Sequence, residues 1–554
     1  MLTESAPSTS SPQFELMQEK RPMGIVGRFF VTLQNLLGLF WGSTFDYVRQ
    51  KKSGGEANTL LLLLLRFILI FARPLMDRKL IQQPFPVQLR MRLEKLGPTY
   101  IKLGQILSLR EDLLPKPVTD ELKHLLDRLP VVSFERYIDL VEKELKFPLE
   151  AIFLWIDPLP LGSASLAQIH RAKLISRENV VLKVLKPGVS ITIERDVKLL
   201  RLFGRILQIF ISRYQPRRLI DEFCRYTLRE VDLRNEADNI EVFTANFRDE
   251  PDVRFPKVYR QLSSRNLLCM EYFEGIKPDA QARERLSSAE RKRVIDLGVG
   301  AIIQMIFRDG FFHADLHPAN LIIFKDASVG FIDLGMVGRF DREMQKRMFY
   351  YFYSLVIGDA AGAARYLASL TIPGRKSDLD GFRRSLEELY ERWHRSPNFY
   401  EFSLAQVIMG SITKAAEYRI QYPGEIILMV KALVTVEGVG NQLEPGLDVV
   451  SVSRKHVQRL LLQQLNPFGI AKGSLLVIPE LVDTLTRSPL IVNEGLRVLE
   501  NNLKREPPRR LAGFQGTIFA GFCLLAGVYL LVSGFSWPVW GALILFSFIL
   551  AFRA

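Results

Sequence analysis

Two carboxylates and one amide lie at short, fixed distances around a predicted hairpin, and this arrangement restricts the fold more than any other feature. Asp315 and Asn320 are five residues apart, and Asp333 lies eighteen residues after Asp315. Residues 321–324 and 329–333 are short apolar runs separated by a four-residue turn, which predicts two antiparallel strands. The three oxygen-bearing side chains are therefore expected to converge beside this hairpin.

The spacing matches that of a phosphoryl-transfer site. Residues 313–320 read His-Ala-Asp-Leu-His-Pro-Ala-Asn, which compares with the kinase catalytic loop H-R-D-x-x-x-x-N, and Asp333 begins a D-L-G segment that compares with D-F-G. Asn320 and Asp333 are then the predicted metal ligands, and Asp315 orients or deprotonates the attacking hydroxyl or water. An acidic loop that caps a helix is the alternative, and three elements in order argue against it. His313 is assigned a structural, hydrogen-bonding role.

A lysine in a short β-like run is the second signal. Lys183 lies in the apolar run 180–185, which resembles the V-A-I-K strand of kinases, 132 residues before Asp315. A lysine there reaches the α- and β-phosphates of ATP and pairs with a glutamate on a helix. Glu236 lies in the charge-rich segment 229–239 and could supply that partner. From the sequence alone, a solvated helix face is the preferred interpretation of this segment.

The loop before that strand contains small residues where a kinase has glycines. Aligned on G-x-G-x-x-G, two of the three glycines are alanine. Because Cβ atoms restrict φ and close approach, we expect the nucleotide to be held differently from that of an ordinary protein kinase. The residues assigned to nucleotide binding are Gly162, Ser163, Ala164, Ser165 and Lys183, together with Glu271 and Tyr272 at the end of the strand candidate 267–272.

The predicted fold class is α+β. It is a bilobal protein-kinase-like fold with an N-terminal helical extension and a C-terminal transmembrane helical hairpin. Residues 217–247 are predicted to form one helix and residues 255–259 a strand. The predicted units are a disordered tail over residues 1–20, a helical extension over 21–150, a kinase-like N-lobe over 151–275, a helical C-lobe over 276–500, a linker over 501–515 and the hairpin over 516–552.

The C-terminal region is apolar throughout. Between Arg510 and Arg553 the sequence has no charged residue, and residues 516–532 and 537–552 form two apolar runs. Each run is near the short limit for a helix that crosses a bilayer. Basic residues flank the pair, which predicts a transmembrane hairpin with both ends on the cytoplasmic side. A buried core hairpin is the alternative. The earlier run 60–71 is too short to cross and is predicted to be a buried or interfacial helix.

Charge and cysteine content narrow the classes of partner. The net charge of +14 fits either nucleic acid or an anionic membrane surface. The sequence has no RNP-type, zinc-finger or helix-turn-helix signature, so no nucleic-acid partner is expected. Cys224, Cys269 and Cys523 are too far apart for a metal spacing or a disulfide framework, which indicates a reducing compartment.

With these residues identified, the chain resembles the UbiB/AarF family of atypical kinases, which includes the animal ADCK proteins. The resemblance spans about residues 85–450. Residues 162–165 stand where the family has its alanine-rich loop, and residues 313–320 are similar to its H-A-D-P-H-P-G-N motif. The K-x-G-Q motif is specific to this family, because ordinary kinases lack it. The other matching residues are Lys102 and Gln105 of K-x-G-Q, Glu230 and Asp232 of E-x-D, and Glu236 as the glutamate of helix αC.

The resemblance implies ATP and Mg²⁺ as cofactors and a helical extension that folds over the active site. Lys102 would pair with the region of Glu230 and Asp232 and block the space where a protein substrate would lie. The sequence agrees, because a helix is predicted to start near Asp341, soon after Gly335, with no A-P-E signature or long activation segment.

The resemblance further implies a membrane-anchored kinase or ATPase that supports prenylquinone (ubiquinone or plastoquinone) biosynthesis or homeostasis, with ATPase activity stimulated by membranes. The expected partners are membrane lipid, prenylquinone precursors and quinone-biosynthesis enzymes, and a homodimer is one option for the oligomeric state. The expected location is a bacterial plasma membrane or an internal photosynthetic membrane, with the kinase-like domain in the cytoplasm. A protein kinase acting in trans and a non-enzymatic ATP-binding scaffold are the alternatives.

Overall fold

The computed structural model describes most of the chain up to residue 464. The described residues are 23–53, 80, 83–111, 114–125, 131–210, 215–374, 377–395, 404–445 and 449–464. The predictions for the tail 1–20, the apolar run 60–71, the linker 501–515 and the hairpin 516–552 fall outside the described residues.

In the helical extension, neighbouring helices approach each other closely at Gly104. A Cβ on Gly104 would overlap the side chain of Leu125 and lie 2.8 Å from Leu93 Cδ1, so glycine is needed there for the helices to pack. Gly97, with a φ of 92°, lies between the helix that contains Gly104 and the helix before it. The helices are α1 (Ile25–Ser53), α2 (Phe85–Leu96), α3 (Pro98–Leu107), α4 (Lys116–Leu122) and α5 (Phe134–Leu145).

The N-lobe contains a four-stranded antiparallel sheet and three helices. Alternate residues of its third strand face opposite sides, so Leu182 packs under α5 while Lys183 lies on the face toward the C-lobe. The elements are β1 (Phe153–Ser163), β2 (Ala167–Leu174), β3 (Asn179–Leu185), α6 (Val189–Phe210), α7 (Pro216–Glu230), α8 (Leu233–Asn246), β4 (Val253–Arg254) and β5 (Leu267–Glu271), and the sheet order is β1-β2-β3-β5.

Two predictions for this lobe are wrong. Residues 217–247 form two helices, because Asp232 accepts a hydrogen bond from Arg234 N and starts α8 as its N-cap. The strand predicted over residues 255–259 is absent, since in that range only Val258 forms an isolated bridge, to Met270. The apolar side chain of Phe255 packs instead in an aromatic cluster with Phe243 and Phe331.

The C-lobe is mainly helical, and the predicted hairpin lies on its side toward the N-lobe. The helix expected near Asp341 is confirmed: Asp341 is the N-cap and accepts a hydrogen bond from Met344 N at 2.7 Å. The elements are α9 (Ala280–Arg285), α10 (Ser288–Ile303), β6 (Phe311–His313), β7 (Leu321–Ile323), β8 (Val329–Phe331), β9 (Val337–Arg339), α11 (Arg342–Ile357), α12 (Ala360–Ser369), β10 (Ile372–Pro373), α13 (Leu379–Arg395), α14 (Leu404–Glu417), β11 (Ile420–Gln421), α15 (Gly424–Leu443) and α16 (Val449–Gln464).

Backbone hydrogen bonds join the two lobes and fix the start of the C-lobe. β4 pairs in parallel with β8, which forms the three-stranded sheet β4-β8-β7. Ile276 and Ile323 exchange two backbone hydrogen bonds of 3.0 and 2.8 Å. The β7–β8 hairpin therefore lies at the boundary between the lobes, where it carries Asn320 at its start and Asp333 after its end.

α15 is unusually apolar. Within the part of the chain that the structure describes, it is the one helix long and apolar enough to cross a membrane. However, consecutive residues from Ile426 to Val430 are all buried, and α15 contacts α10, α14 and β9. These contacts are those of a core helix in a helical lobe.

Candidate active site

A cavity of about 930 Å³ lies between the two lobes and α3. A smaller adjoining cavity of about 90 Å³ shares several of its residues, including Lys102 and Lys183. The predicted site residues in the larger cavity are Lys102, Gln105, Gly162, Ser163, Ala164, Ser165, Lys183, Glu271, Tyr272, Asp315, Asn320 and Asp333, and the smaller one adds Glu230, Asp232 and Glu236. The structure thus brings the whole predicted set together, while their roles stay predictions.

Lys183 links the N-lobe to the metal-ligand loop. Its Nζ donates to Glu236 Oε1 and to Asp333 Oδ1, both at 2.8 Å. The solvated-face interpretation of Glu236 is wrong, because its side chain is only 4% exposed and accepts this bond. Burial disfavours the charge on Lys183, but Asp333 and Glu236 outweigh burial and raise its pKa. Burial likewise opposes ionisation of Asp333, yet the ammonium group keeps the pKa of Asp333 well below its usual range.

Asp333 has a strained backbone. Its φ of 58° lies in the left-handed region, which non-glycine residues adopt rarely and at a cost of about 1–3 kcal/mol. The next residue, Leu334, is fully buried, and its carbonyl accepts a hydrogen bond from Asn239 Nδ2 at 2.9 Å. These contacts hold the turn that presents the Asp333 carboxylate to the cavity.

A short hydrogen-bond network fixes the loop that carries Asp315. Asn320 Nδ2 donates to the Asp315 carbonyl at 3.0 Å, and Asp315 N donates to His313 Nδ1 at 3.2 Å. Burial lowers the pKa of His313 to about 4, so the ring is neutral and its Nδ1 can accept. The ring therefore accepts a hydrogen bond, as the structural role assigned to His313 requires, and that role stays a prediction. Ile332 N donates to the Asn320 carbonyl at 2.9 Å, which places Asn320 beside the backbone leading to Asp333.

Sequence reasoning missed one cation. Lys431 on α15 donates from Nζ to Asp315 Oδ1 at 2.6 Å, and both residues line the larger cavity. Burial opposes ionisation of Asp315, but the Lys431 charge outweighs it and lowers the pKa of that carboxyl. The available signal was a single lysine within the apolar run 426–434.

The K-x-G-Q motif on α3 reaches the same cavity. Lys102 forms an ion pair with Glu230, at the end of α7. Burial is the main cause that lowers the pKa of Lys102 to about 8. Asp232 does not share this contact, since its carboxylate caps α8 and pairs with Arg234 at 2.6 Å. Of the E-x-D pair, Glu230 alone therefore engages Lys102.

The small-residue loop is closed by its own backbone. Ala164 N donates to the Ala167 carbonyl at 2.9 Å, so this amide is used within the turn. A Cβ on Gly162 would meet no atom within 4 Å. The side of the cavity beyond the loop is apolar, with Ile169 and Val181 from the N-lobe and Ile322 from the C-lobe, which suits a planar aromatic base.

Glu271 and Tyr272 line the cavity while making other contacts. Glu271 Oε2 accepts from Lys257 N at 3.1 Å. The Tyr272 ring lies 4.5 Å from the guanidinium carbon of Arg171, a cation–π contact. Both side chains therefore line the cavity while other contacts hold them in place.

The donor set fits a nucleotide-bound Mg²⁺. Over the described ranges, no group of three His, Cys, Asp or Glu residues forms a dedicated metal cage. Mg²⁺ commonly binds through one or two protein oxygens, waters and substrate phosphates instead. Asn320 uses its amide nitrogen on Asp315, which leaves its side-chain oxygen for a cation, and Asp333 lies across the β7–β8 hairpin.

Two known protein domains match separate parts of this chain. Residues 124–367 match the ABC1 atypical kinase-like domain, and residues 386–448 match the UbiB helical domain. The "Probable protein kinase UbiB" of Azotobacter vinelandii is 30% identical over 84% of this chain and 88% of its own length. The uncharacterized protein sll1770 of Synechocystis is 30% identical over 67% of this chain and 64% of its own length.

One solved structure also matches. It is the Rv3197–erythromycin complex from Mycobacterium tuberculosis, with 21% identity over 65% of this chain and 92% of that chain. The TM-score of 0.43 is too low for that match to support a conclusion.

Proposed function

The chain belongs to the UbiB family of ABC1 atypical kinase-like proteins, and from this premise we propose that it binds Mg-ATP in the large cavity and transfers or hydrolyses the γ-phosphoryl group. The observation that carries the proposal is Lys183, held between Glu236 and Asp333 in the cavity that also contains Asp315 and Asn320. Lysine, metal ligands and a proton acceptor are the parts that phosphoryl transfer requires.

Each group has a place in the reaction. Asn320 and Asp333 would hold Mg²⁺, which neutralises charge on the phosphates when it is bound. Lys183 would contact the α- and β-phosphates. The acceptor oxygen forms a bond to the γ-phosphorus while the bond from that phosphorus to the bridging oxygen of ADP breaks. The acceptor proton passes to Asp315, and the bond pair stays on ADP.

The surroundings of the cavity favour water or a small apolar acceptor over a protein. Lys102 and α3 cover the cavity, and α11 begins only seven residues after Gly335, leaving little chain for a peptide platform. The helical extension also lines the cavity with Ile106, Leu109 and Leu122, which suit an alkyl chain. We propose that the activity supports prenylquinone biosynthesis or homeostasis, with prenylquinone precursors or quinone-biosynthesis enzymes as partners.

The proposed location is a membrane surface. Residues 516–552 would form a transmembrane hairpin that keeps the kinase-like domain on the cytoplasmic side of a bacterial plasma membrane or an internal photosynthetic membrane. The net charge of +14 is compatible with an anionic lipid surface.

Substitution of one metal ligand tests the nucleotide proposal. Purified wild-type protein is expected to bind ATP in the presence of Mg²⁺, and Asp333→Asn is expected to weaken binding by about 10-fold or more, because a charged ligand is lost. Asp326→Asn is the matched control, since Asp326 lies on the β7–β8 turn and pairs with Arg254 outside the cavity. Wild-type protein without Mg-dependent ATP binding would contradict the proposal.

A cellular experiment separates an enzyme from a scaffold. In a deletion strain, wild-type protein is expected to restore the prenylquinone profile, whereas Asp315→Asn is expected to fail because the proton acceptor is removed. The scaffold alternative is favoured by the ion pair between Lys102 and Glu230, which ties α3 to the end of α7 beside the site. Full rescue by Asp315→Asn at wild-type protein levels would therefore support the scaffold.

A further inference from the structure

We propose that Lys431 is the positioning residue for Asp315: its ammonium group holds one carboxylate oxygen and leaves the other for the phosphoryl acceptor. The inference rests on the proposed phosphoryl-transfer function and adds to it a residue from the UbiB helical domain. Lys431 lies 116 residues after Asp315, on a helix outside the motifs that predicted the site.

The contact geometry supports this assignment. Nζ lies 2.6 Å from Asp315 Oδ1, and the side chains of Lys431 and Asp315 are 29% and 36% exposed. The backbone of Asp315 is already fixed by His313 and Asn320. Among the described residues, Lys431 is the hydrogen-bond donor that contacts this carboxylate, so it decides how the two oxygens are oriented. Oδ2 then remains to accept the proton of the attacking hydroxyl or water.

A purely structural role explains the lysine less well. Lys431 interrupts the apolar run 426–434, yet its own side chain is 29% exposed, so its charge is tolerated there without a partner. The packing of α15 does not need this pair, because its apolar residues fill the lobe and Arg291 binds Glu444 at 2.9 Å just after its end. A partly exposed ion pair adds only about 0–1 kcal/mol to stability. The pair therefore contributes little that packing does not already supply.

The Lys431–Asp315 pair lies where it can orient the phosphoryl acceptor. Lys431 and Thr435, one helical turn apart, both line the cavity on the side of Asp315. In a loose transition state the acceptor proton leaves late, so the main task of the aspartate is to orient the acceptor oxygen. A fixed carboxylate orients that oxygen better than a freely rotating one.

A double-mutant cycle tests the assignment. In the full-length protein, Lys431→Met is expected to lower kcat for ATP hydrolysis by about 10- to 100-fold, a part of what a positioned proton acceptor supplies. The KM and the Kd for ATP are expected to stay within about twofold, because Lys431 acts through Asp315 rather than on the nucleotide. Lys431→Arg, which keeps the charge, is expected to recover most of the rate. In an Asp315→Asn background, Lys431→Met is expected to cause no further loss.

Controls make each outcome decisive. Lys455→Met removes a lysine on α16 whose side chain is 62% exposed and is expected to leave kcat unchanged. Melting temperatures are compared for all variants, and Lys431→Gln replaces Lys431→Met if the latter does not fold. A wild-type rate in folded Lys431→Met or Lys431→Gln, a further loss on top of Asp315→Asn, or a parallel loss of ATP affinity would each overturn the assignment. Absence of hydrolysis by the wild type would instead reject the proposed ATPase function itself.

Discussion

The N-lobe sheet and the helical extension each deliver one lysine to the same cavity, and the two lysines differ in how firmly they are held. Lys183 lies on a central strand and contacts two carboxylates, Glu236 and Asp333. Lys102 lies on α3 and contacts one, Glu230. Burial disfavours the charge on both. The pKa of Lys183 is nevertheless raised, whereas that of Lys102 is lowered to about 8.

The difference shows which contact is permanent and which can be broken. Two carboxylates raise the pKa of Lys183, so we expect this ion pair to persist through neutral and moderately alkaline pH. For Lys102, the charges of Asp315 and Asp333 do not offset burial and the nearby Lys183 and Lys431 charges, so its pKa of about 8 lies close to neutral pH. Lys183 is therefore a fixed part of the site, and we expect Lys102 to act as a releasable cover.

Removal of Lys183 should have the largest effect. Lys183→Met leaves Glu236 buried without its partner, which costs about 3 kcal/mol, the lower end of the range because Asp333 is 42% exposed. ATP binding should also be lost, since the cation for the phosphates is gone. Chemical denaturation and ATP titration measure the two effects. Lys173→Met, on the neighbouring strand β2, is the control, and equal behaviour of the two variants would show that Lys183 is not a fixed part of the site.

A substitution that disturbs the packing of α3 should have an intermediate effect on stability. Gly104→Ala forces a methyl group into Leu125 and is expected to destabilise the protein by about 1–3 kcal/mol. Gly162→Ala adds the same methyl group in the small-residue loop, where it meets no atom, and should leave stability unchanged. Thermal unfolding of both variants measures the contrast. Equal melting temperatures would mean that α3 does not pack closely against Leu93 and Leu125.

The smallest expected effect is a pH dependence of turnover. As pH rises through about 8, Lys102 loses its proton and its attraction to Glu230, so ATP hydrolysis by the wild type is expected to rise by a few-fold between pH 7 and 9. Lys102→Arg stays charged and should not show the rise, because arginine keeps its proton throughout this range. Lys102→Ala should already be faster at pH 7. Parallel profiles for the wild type and Lys102→Arg would contradict the releasable cover.

The sequence predicts those parts of the site that lie close together in the chain. Asp315, Asn320 and Asp333 surround one hairpin, and the strands of that hairpin are recognisable from their apolar residues. The sequence also indicates the start of α11 at Asp341, because aspartate is a strong N-cap residue. Local chemistry is sufficient in both cases.

Local sequence patterns did not predict several contacts between elements that are distant in the chain. Whether Glu236 faces solvent or Lys183 depends on how α8 packs against β3 and β5, which the charge pattern of one helix does not show. The break at Asp232 was hidden because the charged residues around it fit a continuous helix as well as an N-cap. Lys431 was missed because its partner lies 116 residues away, and only the packing of α15 brings the two together.

The backbone pairing between the lobes has a mechanical consequence. A bilobal protein joined only by its connecting chain can swing open about that connection, but here the β4–β8 pair ties the lobes at a second point, and Ile276, just after the connection, is held by Ile323. Rotation about the connection strains the β4–β8 hydrogen bonds. For the proposed nucleotide function, we expect ADP and ATP to exchange through local displacement of the 162–167 turn or of α3, with little rotation of one lobe against the other.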